Sequence, residues 1–385
     1  MPRLRRLLPA LVMAAIGCVD QVYVGPPEDP GLGPSHVPPP DGRPPRSIFQ
    51  LDLLFVIADS PSMAPVQQHV VQSFPYFLQE LRQPLGALPD LHIGILTGNM
   101  GAGAYTPVVP GCERPDGGNL VAQARAATDV LCETARIQGS AQFLEVLGDG
   151  SWGNFAGRLS DAFRCLAAVG TAGCPFQQPL FAVEAALGPN APPGNRDFLR
   201  PGAFLAILFI SDQDDCSVPA DSLLFDPSQR AVSDPLGPLT SFRCLDAQLR
   251  CGGQPLPRSW SGPLADCRLD DSRAATDPLH ALTPVAHFQD LLARLEPTPS
   301  RLITAAFVPR FDRVEVAIDP DSGNPQLAPS CLLLDDGSAW GPAYRLPAAT
   351  RIHLPICQGY DISLGAIGYV LGTWLLEPPN LPGPG

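Results

Sequence analysis

The chain has 385 residues, a formal charge of -13 at neutral pH and 25 basic residues, every one of them arginine. That acidic balance argues against nucleic-acid binding, which needs clustered cations to displace counterions. The 47 prolines, the many Ala and Gly and the absence of lysine read as coding bias and carry no chemistry.

Arg3, Arg5 and Arg6 form a positive start, Leu7 to Ile16 an apolar core, and Gly17 precedes Cys18. This is a secretory signal pattern over residues 1–17. The apolar core is too short to span a bilayer. A Cys at this place resembles a bacterial lipobox, with Ala15 where Leu is usual. The resemblance implies a diacylated Cys18 and a protein held at the bacterial envelope by lipid alone, on the outer membrane, facing periplasm or surface. Residues 18–46 then form a Pro-rich, semi-rigid tether that cannot bury a core.

Removing Cys18 from the 11 cysteines leaves ten: Cys112, Cys132, Cys165, Cys174, Cys216, Cys244, Cys251, Cys267, Cys331 and Cys357. An even set in an exported chain implies disulfides, and no CxxC suggests a redox or zinc site. Pairing neighbours in order gives 112 with 132, 165 with 174, 251 with 267 and 331 with 357, leaving 216 with 244.

The folded part is expected over 47–377, with 378–385 a flexible tail. Leu51 to Ile57 reads as a buried parallel strand, because the run is nearly all apolar and breaks into Ala58-Asp59-Ser60-Pro61-Ser62. Val66, Val70, Phe74, Phe77 and Leu81 follow at helical spacing, with Pro65 in the first turn and Pro75 as a kink. Leu91 to Thr97 is a second strand, and 99–103 a glycine turn. Tyr105 to Leu147 suggests loops and an edge hairpin stapled by Cys112 and Cys132. Asn154 is placed to cap a helix with the stripe Phe155, Leu159, Phe163 and Leu166, ending at Gly170. Leu180 to Leu187 is a helix, and Phe204 to Ile210 a third strand running into Ser211-Asp212-Gln213-Asp214-Asp215-Cys216-Ser217. Residues 219–276 form a Cys-rich insertion without period. His287 to Leu295 is a helix, Leu302 to Val308 a fourth strand, and 315–344 an exposed hairpin about Asp319 to Gly323. Asp361 is placed to cap the last helix, whose Gly365, Gly368 and Gly372 allow close packing on the sheet. The fold class is α/β: a doubly wound, mostly parallel sheet with helices on both faces and disulfide-stapled insertions.

In such sheets ligands gather at the carboxyl ends of the strands. Two strands deliver Asp59, Ser60, Ser62 and Asp212 there, a set of hydroxyls and carboxylates suited to a hard cation such as Mg²⁺ or Ca²⁺. Leu53 to Met63, LLFVIADSPSM, resembles the first strand and metal-ion-dependent adhesion loop (Asp-x-Ser-x-Ser) of von Willebrand factor A (vWA) domains. With Phe163-Arg164-Cys165-Leu166 through Gly173-Cys174, Ala206 to Ser217, and 330–346, the chain is similar to vWA-like lipoproteins of myxobacteria over roughly 50–375. The resemblance implies a three-layer vWA fold and a metal set of Asp59, Ser60, Ser62, Thr171 and Asp212, with Thr97 the lesser candidate for the family's threonine. It also departs from the family: Ala58 stands where the first liganding Asp belongs, and Asp59 comes one residue late. The implied function is protein or glycan binding at the envelope by a degenerate adhesion site, the loops 58–62, 98–103, 171–178 and 212–217 forming the contact face.

Asp214 and Asp215 read as a solvated loop, and Asp319 and Asp321 as turn formers. Two other classes compete. One is a structural envelope protein with cation-independent contacts. The other is a serine hydrolase using Ser60 with Asp212 and one of His280, His287 or His353, although the glycines of a nucleophile elbow are missing.

Overall fold

A computed structural model describes residues 48–125, 130–147, 150–270, 281–310, 313–332, 339–357 and 360–379. The signal, lipid-anchor and tether readings, His280, part of the insertion and most of the tail lie outside the described residues.

In chain order the elements are β1 (Gln50–Ile57), α1 (Ala64–Leu85), β2 (Asp90–Leu96), α2 (Val130–Thr134), β3 (Leu144–Leu147), β4 (Trp152–Gly153), α3 (Leu159–Ala167), α4 (Pro179–Leu187) and β5 (Phe204–Ile210). There follow α5 (Phe242–Gln248), β6 (Leu249–Cys251), β7 (Gly262–Leu264), β8 (Cys267–Leu269), α6 (Val285–Leu295), β9 (Leu302–Val308), β10 (Val314–Ile318) and β11 (Pro325–Leu327). The chain closes with β12 (Cys331–Leu332), β13 (Ala339–Trp340), α7 (Arg345–Ala349), β14 (Ile352–Pro355) and α8 (Tyr360–Leu376).

Seven strands form the main sheet in the order β14-β9-β5-β1-β2-β3-β4. The five from β14 to β2 run parallel, and β3 and β4 add an antiparallel edge hairpin. The parallel strands are mostly apolar because both faces are covered, with Asp52, Asp90, His92 and Thr304 as buried polar exceptions. Leu53, Phe55 and Ile57 point into a core with α1, α3 and α8, whereas Leu54 and Val56 point into a second core with α4, α6 and α7. The first core is centred on rings: Phe55 lies 4.9 Å from Phe163, which stacks on Phe74 at 3.6 Å between centroids. The chain leaves β1 toward β2 on one side and later returns to β5 on the other, so the β1/β5 boundary is the switch point of the sheet. In open α/β sheets that is where a crevice opens.

Several expectations change. Cys112 pairs with Cys174 and Cys132 with Cys165, while 216–244, 251–267 and 331–357 form as read. Parallel crossovers bring distant loops to the same sheet end, so nearness in sequence is a poor guide there. Asn154 does not cap a helix: it accepts from Glu145 N–H and donates to Phe143 O, fixing the edge hairpin, and α3 begins at Leu159. The glycines of α8 meet α1 rather than the sheet. A Cβ on Gly368 would lie 2.4 Å from Phe77 O, and one on Gly372 2.5 Å from Leu81 O. Asp361 falls inside α8 rather than before it.

The stretch read as periodless is held by buried arginine. Arg243, 1 % exposed, donates to the carbonyls of Leu224, Asp226, Gln229, Gly237 and Pro238. Arg258 ties the carbonyls of Asp234 and Pro235 to the Asp246 carboxylate. Its β7 joins the β10–β11 hairpin in a three-stranded sheet. A third core, with Val109, Phe176, Val218, Phe225 and Leu236, covers part of the carboxyl end of the main sheet.

Candidate functional site at the sheet switch point

Ile57 ends β1 and Ile210 ends β5, with Ala58 N–H bonded to Ile210 O at 2.9 Å. From these neighbouring ends the chain projects Ser60, Ser62 and Asp212. Ser60 Oγ donates to both Asp212 oxygens, 2.9 and 3.1 Å away, and Ser62 Oγ donates to Asp212 Oδ2. The two hydroxyls are 3.4 Å apart. Ser60 and Asp212 are buried; Ser62 and Pro61 face solvent.

Asp59 turns elsewhere. Its Oδ1 accepts Gln177 Nε2 at 3.0 Å, and its backbone oxygen accepts Gly173 N–H at 2.9 Å. The carboxylate packs directly on Gly173, where an added Cβ would come within 2.0 Å of Oδ1. Burial pushes this carboxyl up to about 6, against the lowering effect of the Gln177 bond; the neighbouring Asp116 raises it and Arg125 lowers it. Arg125 lies 3.9 Å from Asp59 and 2.8 Å from Asp116, which also takes the Thr97 hydroxyl. Thr171 is half-buried between two anchor points of its loop on the β1 end, Gly170 bonded to Gln67 and Gly173 bonded to Asp59. Among the described residues it makes no hydrogen bond to the Ser60, Ser62 and Asp212 group.

Of the five residues expected at a metal, the structure thus brings three together. One carboxylate and two hydroxyls converge, and Ala58, just ahead of them in the chain, offers no side-chain donor. Divalent sites of this type lean on carboxylate charge to offset dehydration, so the donor set falls one anion short of a strong Mg²⁺ or Ca²⁺ site. Among the described residues no group of three or more His, Cys, Asp or Glu side chains is arranged to hold a metal.

The four upper loops do meet, through two glutamines that sequence reasoning passed over. Gln177 O accepts Cys216 N–H; Gln178 N–H donates to Gly98 O, Gln178 Nε2 to Gly101 O, and Gln178 Oε1 accepts Val218 N–H. Two adjacent amides ahead of an apolar helix start were the available signal. Asp214 and Asp215 are buried, contrary to the solvated-loop reading. Asp214 accepts the backbone N–H groups of Tyr344, Arg345 and Leu346 at the start of α7, and burial raises it to about 6. Asp215 accepts Leu180 N–H at the start of α4 and pairs with Arg345 Nε at 2.9 Å. Asp319 is the turn former expected, accepting the N–H groups of Asp321 and Ser322.

Three of the described histidines have partners other than Ser60. His287 contacts Glu184 at 3.0 Å, His353 contacts Thr350 O, and His92 contacts Phe198 O.

Asp212 also lines a groove of about 240 Å³ between the sheet end, the start of α5 and the β10–β11 turn. A second compartment of about 380 Å³ continues from it, the two sharing Pro175, Phe176, Thr240 and Asn324 as walls.

No protein-family model matches this sequence, and no curated protein matches it.

Proposed function

We propose that this chain is an envelope-anchored vWA-like lipoprotein that binds a protein or glycan ligand through the carboxyl-end face of its sheet, with an adhesion site that has lost most of its cation affinity. The observation that carries the reading is the bonding of Ser60 and Ser62, from the β1 end, to Asp212, from the β5 end, at the switch point of a mostly parallel sheet. Two serines one residue apart and an Asp after the next central strand are the parts of the vWA motif that the sequence retains. The signal-like pattern over residues 1–17 and the lipobox-like setting of Cys18, both read from the sequence, support the envelope location, as do the five disulfides, which persist in oxidising compartments.

Calorimetric titration of the oxidised full chain with Mg²⁺, Mn²⁺ and Ca²⁺, beside an Ala58→Asp variant, tests this. The natural protein is expected to bind each ion no better than millimolar, and the variant to gain at least tenfold by regaining the missing carboxylate. A folded variant that gains nothing would remove the vWA reading of the site.

A further inference from the structure

The groove beside Asp212 is a feature that the adhesion-site reading does not use. Its first compartment is rich in acceptors. Asp212 lies at its wall and Asp319 at the β10–β11 turn. The backbone amides of Ser322 and Asp321 hold Asp319 below the usual carboxylate range, so it stays ionised. Gln177 also lines this compartment; it is 1 % exposed, and its Oε1 has no hydrogen-bond partner among the described residues. Thr240 Oγ1, on the wall common to both compartments, is buried and likewise without a partner there. Buried polar atoms are nearly always satisfied by protein, water or ligand. The volume, about 240 Å³, far exceeds the about 10–15 Å³ that one water needs.

The second compartment is of mixed lining: Val109, Pro110, Phe176, Pro238 and Leu239 alternate with Thr240 and Asn324, and its one charged wall residue is Arg230. A ligand that reaches from one compartment into the other must be extended, and at the Asp212 and Asp319 end it must carry a hydrogen-bond-donating cation. A sugar fits less well, because the rings of Phe176 and Phe242 are 1 % and 3 % exposed and offer no face for stacking. The molecule as a whole, at -13, attracts cations.

Resting on the binding-module reading above, we infer that this groove takes an extended peptide of a partner protein and seats one of its arginine or lysine side chains toward Asp212 and Asp319. A guanidinium or ammonium carries one charge and several donors, which suits a site that keeps one adhesion carboxylate where a divalent ion would need more. The residues next to it in the peptide lie along Pro110 and Leu239.

The test uses the oxidised full chain and two blocked peptides, acetyl-Pro-Leu-Arg-Pro-amide and its neutral citrulline twin, titrated by calorimetry at two salt concentrations. The arginine peptide is expected to bind about tenfold or more tightly than the citrulline one, and less so at high salt. Asp212→Asn should abolish that preference. Asp319→Asn, at an exposed turn where the amide oxygen can still accept the turn N–H groups, should reduce it several-fold while leaving the fold unchanged. Equal binding of the two peptides would overturn the cation preference, as would an arginine preference untouched in folded Asp319→Asn and Asp212→Asn proteins. Failure of both peptides to bind, in a protein whose Ala58→Asp variant gains Mg²⁺, would overturn the groove assignment and leave the adhesion-site reading standing.

Discussion

Asp215 and Arg345 form an ion pair at 2.9 Å with both side chains wholly buried, joining the loop after β5 to the start of α7. The rest of the guanidinium is spent on Gln248 Oε1 and Thr283 O, so one arginine ties the sheet end to α5 and to the segment before α6. Removing one member of such a pair strands its partner in a low-dielectric interior. Arg345→Met should lower unfolding stability by about 3–5 kcal/mol, read as a shift of the urea midpoint. An unchanged midpoint would mean that water reaches Asp215.

Acid should stabilise the natural protein relative to an Asp59→Asn variant. Unfolded aspartates titrate at about 3.9. Asp59 is raised to about 6 in the fold, so between these values the folded state holds more protons than the unfolded one. Its stabilising contribution is complete below about pH 4 and is lost as pH rises through 6. The stability of Asp59→Asn minus that of the natural protein should therefore increase from pH 4.5 to pH 7.5. The difference is the informative quantity, because Asp226 and Asp319, lowered by turn amides, act with the opposite sign in both proteins. A flat difference would argue that the carboxyl is hydrated.

Non-reducing peptide mapping should recover Cys112 linked to Cys174 and Cys132 linked to Cys165. The 112–174 bridge closes 62 residues and the 251–267 bridge 16. On chain entropy their paired serine replacements should cost about 4 and about 3 kcal/mol respectively. Recovery of 112–132 would contradict the loop arrangement at the sheet end.

Gly368→Ala inserts a methyl 2.4 Å from Phe77 O, a rigid backbone atom. The helices must separate, and a loss of about 1–3 kcal/mol is expected in thermal or urea unfolding. The same change at Gly365, where the nearest atom is Glu80 Cγ at 3.5 Å, should be tolerated.

What the sequence revealed follows from burial. The central strands were legible because a parallel strand covered on both faces is apolar at every position, as in Phe204 to Ile210. β14, four residues beginning Ile352-His353, was not, since it lies at the edge beside β9 and shows no run. Ser60, Ser62 and Asp212 were found because a strand end followed by small polar residues is a local signal. Gln177, Arg243 and Arg345 were missed because their partners are mostly backbone groups or single side chains far along the chain, which leave no pattern. Asp214 and Asp215 misled for a related reason: a carboxylate buried against helix N–H groups looks, in sequence, like one in water.

The packing of α8 on α1 also bears on how the molecule is made. Phe77 and Gly368 touch although about three hundred residues separate them, and loop closure over such a span is slow. The first core, which holds β1 and the rings of α1, stays open on one side until the last helix has been synthesised. A chain with that connectivity closes its first core only when the last helix is in place, and the final turns of that helix act as its fastener.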